Sequence, residues 1–125
     1  MQQVKNFFQV IENICQKDNR YKPDSYEFVM QALKFTQKKI DKDGHVTGKE
    51  LLEGIRQFAL EQYGPMVKTV LAHWGITKTS DFGNIVFNMI EKKLLSKTET
   101  DSLEDFKDVF DFEVAFKHIL KDIVI

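Results

Sequence analysis

The sequence is poor in cysteine, proline and tryptophan, with one, two and one of these residues among 125. A single cysteine excludes a disulfide within the chain, and so few prolines leave room for uninterrupted helices. Cys15 lies on the apolar face of a predicted helix, and the sequence places no histidine or cation beside it. We therefore interpret Cys15 as a small buried hydrophobe rather than a nucleophile.

Long hydrophobic runs and an excess of charge of one sign are also missing. No apolar run reaches 18 residues and no signal-peptide core is present, so we expect a soluble, cytoplasmic protein with no membrane partner. The formal net charge of −1 supplies no global attraction to nucleic acid. Any such binding would need a local basic patch.

Apolar residues are plentiful and recur at helical spacing. Hydrophobic residues make up 42% of the chain, eleven of them phenylalanine, and 125 residues are typical of one domain. We expect a single domain over residues 1–125, in which the N-terminal helix at 1–17 could be peripheral. The pattern predicts two helices that end near Lys17 and Lys39, followed by helices at Gly48–Tyr63 and Pro65–Gly75. It also predicts a fifth helix capped by Thr79 or Ser80 and a last helix from Phe112 to near the C-terminus.

The segment 95–111 breaks the helical pattern. It is polar up to Leu103, and phenylalanines then follow at partly alternating positions. We predict two short strands or extended arms, at Leu95–Lys97 and at about Lys107–Asp111. The predicted fold class is therefore mainly α, with about six helices, a short two-stranded hairpin and a winged-helix-like second half.

The stretch IDKDGHVTGKE, Ile40 to Glu50, resembles a calcium-binding EF-hand loop over residues 39–50. Asp41, Asp43, Gly44 and Glu50 match its positions 3, 5, 6 and 12, but position 1 is Lys39, a cation that would repel the ion. The alternative is a capping box, in which Thr47 and Glu50 bond each other's backbone amides at the start of a helix. We favour the cap and expect no metal.

The phrases GKELLEGIR, WGI, DFGNIVF, LLSKTETD and FDFEVAF lie between His45 and Phe116. Together they resemble the signature of a small uncharacterised bacterial protein family of about this size. The opening helix and the IVI tail lie outside the resemblance. That family has no established activity, ligand or catalytic residue, so the resemblance implies a bacterial origin and no mechanism.

One functional hypothesis is a nucleic-acid reader. In a winged-helix arrangement the fifth helix would turn Asn84 and Asn88 toward base edges, with Asp81 and Glu91 on the same outer face, and Lys92, Lys93 and Lys97 could contact phosphate. Against it, seven acidic residues and one lysine lie between Glu99 and Glu113. A wing with that charge would be repelled by the nucleic-acid backbone.

A second hypothesis is an enzyme, for which His45, His73 and His118 are candidates. Their spacing matches neither a metal pair nor a catalytic triad, and no glycine-rich phosphate loop is present. We expect no catalytic residue and no cofactor.

The hypothesis that we favour is a non-catalytic protein-interaction module. Its predicted surface comprises Phe106, Phe110, Asp105 and Asp108, because the phenylalanine content exceeds what a small core needs and the acidic segment suits a basic partner. The partner is an unknown protein or a second copy of the chain. The apolar C-terminus, Asp122 to Ile125, could pack on the core or dock in a second subunit.

Overall fold

The computed structural model describes residues 2–40, 46–96 and 102–116, with side chains from residue 6 onward. The described residues form six α-helices and two 3-10 helices. In chain order these are α1 (Gln2–Lys17), α2 (Pro23–Lys39), α3 (Gly48–Tyr63), a 3-10 helix (Gly64–Met66), α4 (Val67–His73), α5 (Thr79–Glu91), a second 3-10 helix (Leu103–Phe106) and α6 (Phe112–Ala115). The mainly α class is confirmed.

The start of α3 confirms the predicted capping box. The Thr47 hydroxyl accepts a hydrogen bond from the Glu50 amide at 3.1 Å, and the Glu50 carboxylate accepts one from the Thr47 amide at 2.9 Å. Each interaction satisfies an amide that the first turn of a helix leaves without a partner. Residues 41–45 of the calcium-like loop lie outside the described residues.

Helix α2 is the centre of the bundle and packs against α1, α3 and α5. Its contact with α3 is close, because Thr36 lies against Gly54. A Cβ atom on Gly54 would lie 1.7 Å from the Thr36 hydroxyl oxygen, which itself donates to the Ala32 carbonyl at 2.7 Å. Any side chain at position 54 would therefore push the two helices apart.

The predicted hairpin is wrong: the described residues contain no strand, and residues 103–106 form a 3-10 turn. The Ser102 amide donates to the Asp105 carboxylate at 2.8 Å, and the Asp105 amide donates to the Ser102 carbonyl at 3.1 Å. These two bonds close a helical turn. The winged-helix-like second half is wrong for the same reason, since residues 46–96 and 102–116 form no wing strand. Lys97 lies outside the described residues.

The second 3-10 helix inserts Phe106 into the core. A Cβ on Gly83 would lie 2.7 Å from the Phe106 Cβ, and one on Gly48 would lie 3.0 Å from its ring. The ring is 2% exposed. The absence of a side chain at Gly83 therefore lets α5 pack directly against this phenylalanine.

At the C-terminal end of the described chain, three phenylalanines pack together. The Phe112 ring centroid lies 6.0 Å from that of Phe110 and 5.2 Å from that of Phe116. The predicted last helix is seen at Phe112–Ala115, and its continuation from residue 117 lies outside the described residues. None of the described helices is both long enough and apolar enough to cross a membrane.

Candidate protein-binding groove

Helix α1 contributes two neighbouring phenylalanines to the surface. Phe7 shares a stripe with Ile11 and Ile14, which are buried in the core. Phe8 is one residue further along, about 100° around the helix, and its side chain is 51% exposed. The two rings meet edge to face with centroids 5.4 Å apart. The doublet thus widens the apolar face of α1 beyond the part that the core covers.

Helix α2 faces this doublet with Glu27, Met30, Gln31 and Lys34. Their spacing of three, four and seven residues places them on one side of the helix. Met30 is half-buried against the core, whereas the other three are exposed. Glu27 and Lys34 are separated by about 10 Å along the helix axis, so their opposite charges lie at different ends of the stripe.

The end of α5 contributes Lys93 and Leu94. The Lys93 amide donates to the Ile90 carbonyl and the Leu94 amide to the Met89 carbonyl, both at 2.9 Å. These are the two bonds of a Schellman motif, whose first residue beyond the cap adopts the left-handed conformation that glycine favours. Lys93 holds that conformation, with φ 63°.

Together these three elements form a groove of about 620 Å³. Phe7, Phe8, Met30 and Leu94 make its surface largely apolar, and charged side chains stand at its margins. Within the described chain, neither Lys34 nor Lys93 forms a salt bridge with a carboxylate. The groove therefore offers apolar area together with two ammonium groups that can accept an anionic partner.

A polar network fixes α5 against the linker between α1 and α2. The Tyr21 hydroxyl donates to the Asp81 carboxylate at 2.7 Å and accepts from the Asn84 amide at 2.9 Å. The second Asp81 oxygen accepts from the backbone amides of Thr77 and Lys78 at 2.9 and 3.2 Å. The Asp81 side chain thereby caps the start of α5, whose first residue is Thr79. The helix begins one residue earlier than a cap at Thr79 would allow.

One turn further along α5, Asn88 extends the network. Its side-chain amide donates to the Tyr26 hydroxyl and to the Asp18 carboxylate, both at 3.0 Å. Asp18 also receives two short hydrogen bonds from the Arg20 guanidinium, at 2.7 and 2.8 Å. The network thus joins the middle of α5, the first turn of α2 and the linker.

Hydrogen bonding and burial shift the pKa values of several side chains in and near the network. The Arg20 hydrogen bonds hold the pKa of Asp18 well below its usual range. Burial raises the pKa of Tyr21 and Tyr26 to about 12 each. Burial also raises the pKa of the Cys15 thiol, which lies 3.6 Å from the Tyr21 carbonyl oxygen. A raised pKa favours the thiol over the nucleophilic thiolate.

The residues proposed to read nucleic acid are not gathered on one free face. The side-chain amides of Asn84 and Asn88 already donate hydrogen bonds to the tyrosines, and Asp81, expected on the outer face, is 8% exposed. Lys92 and Lys93 follow the end of α5, and Lys97 lies outside the described residues. Base reading would require α5 to give up the contacts that position it.

The four residues predicted to meet a partner protein divide between core and surface. Phe106 is buried and Phe110 is half-buried against Phe112 and Phe116, whereas Asp108 is exposed and Asp105 is partly so. The assignment of these four residues to an interaction surface stays a prediction. The Phe106 ring is already occupied by core contacts.

Of the three histidines, the structure describes one. His73 is exposed in the last turn of α4, and His45 and His118 lie outside the described residues. Across residues 2–40, 46–96 and 102–116, no three histidine, cysteine or acidic side chains cluster closely enough to hold a metal ion.

Sequence reasoning missed the groove, and only one part of it, the Phe7-Phe8 doublet, has a signal in the sequence. The Phe7-Phe8 doublet cannot fit one narrow helical stripe, so one ring must lie at its edge. Gln31 and Met30 precede Lys34 by three and four residues and share its face of α2. The sequence does not show which neighbouring helix this face contacts. The left-handed conformation of Lys93 has no sequence signal, since glycine is its usual marker.

Comparison with known proteins adds no family. A scan against protein-family models and searches of curated proteins and solved structures each found no match to this chain.

Proposed function

We propose that this chain is a non-catalytic protein-interaction module of the bacterial cytoplasm that binds its partner in the groove between α1, α2 and the end of α5. The observation that supports the proposal is the exposure of Phe8. Its side chain remains 51% exposed beside a second aromatic ring and a half-buried methionine. Contiguous apolar surface of this kind is typical of a site that a partner covers.

The energetics favour a partner that covers the whole groove. Full burial of a phenylalanine side chain stabilises by about 1.5–3 kcal/mol, so covering the exposed half of Phe8 contributes about 1 kcal/mol. Phe7, Met30 and Leu94 add apolar area around it. A few such contacts at the centre of an interface carry most of the affinity of many protein complexes.

Selection from a displayed peptide library against the wild-type protein tests this proposal. Selected peptides should bind wild type and lose about fivefold or more in affinity for Phe8→Ser, since about 1 kcal/mol corresponds to that factor. Met66→Ser is the matched control: Met66 is 54% exposed and does not line the groove. This control should bind like wild type, and equal losses in both variants would contradict the proposal.

A further inference from the structure

We infer that the groove selects an acidic amphipathic helix, whose apolar face covers Phe7, Phe8, Met30 and Leu94 and whose carboxylates meet Lys34 and Lys93. This inference rests on the proposed protein-binding function and names the chemistry of the partner. Three observations support it: the placement of charge, the conformation of Lys93 and the helical walls of the groove.

The lining of a neighbouring cleft indicates that the two lysines stand at the same end of the groove. Leu94 lines a neighbouring cleft together with Leu33 and Gln37, so the end of α5 lies beside the second half of α2. Lys34 belongs to that half, whereas Glu27 lies near the beginning of the helix. An anionic partner can therefore contact the ammonium groups of Lys34 and Lys93 without closely approaching the Glu27 carboxylate.

A further lysine extends this basic end. Lys38 follows Lys34 by four residues on the same exposed side of α2. Like charges at that spacing destabilise an isolated helix by a few tenths of a kcal/mol. Lys38 lies in the last turn of α2, where the helix dipole favours a cation, so it adds positive charge beyond the lining of the groove.

Lys93 occupies a position that favours glycine. The equivalent position at the end of α4 is Gly75, with φ 92°, where the Ile76 amide donates to the Leu71 carbonyl at 2.8 Å. The two helix ends thus share one backbone motif and differ in residue type. A side chain held in a strained backbone conformation at the edge of a cleft points to a role in binding.

A helix fits the groove better than an extended peptide. The walls are two helices and the end of a third. An extended peptide usually binds by adding a strand to a sheet edge, and the part of the chain that the structure describes offers no such edge. Binding of an amphipathic helix requires apolar side chains at spacings of three and four residues, which suits an apolar groove between helices.

The test uses three synthetic helical peptides with blocked ends and identical leucine positions, whose remaining positions are glutamate, glutamine or lysine. The glutamate peptide should bind wild type roughly fivefold more tightly than the glutamine peptide, as two partly exposed ion pairs would give. The lysine peptide should bind most weakly. The advantage of glutamate should shrink at about 200 mM salt.

Variants assign that advantage to the groove. Lys34→Gln and Lys93→Gly together should abolish the preference for glutamate over glutamine, because they remove both ammonium groups from the groove. Both residues are exposed, so the double variant should keep its core. Lys49→Gln is the control, since Lys49 is exposed on α3 and does not line the groove. It should keep the preference.

The outcomes separate the two proposals. If all three peptides bind wild type equally and all lose affinity for Phe8→Ser, the acidic partner is wrong and the binding groove is still supported. Binding of none of them would contradict the inference, and the library selection would then decide the groove independently. Self-association of the protein that disappears in Lys93→Gly would instead make a second copy of this chain the occupant, which also overturns the inference.

Discussion

At the scale of single residues, the backbone conformation of Lys93 and the exposure of Phe8 are not required by the fold. Lys93 holds a left-handed backbone where glycine would be unstrained, and Phe8 leaves half of its side chain exposed. Both lie at the groove. Residues that bind a partner commonly carry such a cost in stability.

Replacement of Lys93 by glycine should stabilise the protein. Relief of the left-handed strain is expected to raise the free energy of unfolding by about 1 kcal/mol. Urea denaturation monitored by circular dichroism measures the change. Lys92→Gly is the neighbouring control, because Lys92 has φ −92° and gains nothing from glycine. A stabilisation of Lys92→Gly as large as that of Lys93→Gly would contradict this explanation.

Truncation of Phe106 should destabilise the protein far more than truncation of Phe8. Phe106→Ala removes a ring that is 2% exposed and is expected to destabilise by about 3–5 kcal/mol. Phe8→Ala should change the free energy of unfolding by less than about 1 kcal/mol, because half of its side chain is already in water. Thermal unfolding of both variants makes the comparison. Similar losses would mean that Phe8 belongs to the core.

At the scale of elements, the sequence predicts helices better than it predicts the segment after α5. The bounds of α3 and its Thr47–Glu50 cap follow from local signals that tertiary packing supports. The strand predicted at about Lys107–Asp111 is wrong, because the spacing of Phe106, Phe110 and Phe112 suggests an alternation that the structure does not follow. Ser102 and Asp105 carry the same three-residue spacing as a helix cap, and that signal could have indicated the turn.

The contact between α2 and α3 reverses the usual effect of glycine in a helix. Gly54→Ala would ordinarily stabilise a helix by about 1 kcal/mol. Here the added Cβ meets Thr36, so we expect a net destabilisation of about 1–3 kcal/mol. Urea denaturation gives the sign directly. A more stable Gly54→Ala variant would mean that the helices do not approach this closely.

At the scale of the whole molecule, the groove depends on how three separated segments are held together. Asn88 of α5 bonds both Asp18 in the linker and Tyr26 in α2, and Tyr21 in the linker bonds Asp81 of α5. These bonds hold α5 beside α2 and the linker. No local pattern in the sequence indicates such pairing, because its partners are 60 or more residues apart. The site could therefore not be predicted from sequence, although most of its helices could.

The tyrosines of this network should make the fold sensitive to alkali. Their pKa of about 12 in the folded protein exceeds the usual value of about 10. The stabilisation is therefore complete below pH about 10 and is lost as the pH rises toward 12. Tyr26→Phe should lower the free energy of unfolding by about 1 kcal/mol at neutral pH. It should also weaken the alkaline dependence.

Urea denaturation of wild type and Tyr26→Phe at neutral pH and above pH about 10 gives both effects. An unchanged alkaline slope in the variant would show that Tyr26 is not held in its protonated form by the fold.

The most direct test of the binding groove is an amide chemical-shift map of the wild-type protein titrated with the glutamate peptide. We expect the largest shifts around Phe7 and Phe8, along Glu27 to Lys34 and at Lys93 and Leu94, and we expect these shifts to be lost in Phe8→Ser. Shifts centred elsewhere, such as on the acidic segment 103–114, would contradict it.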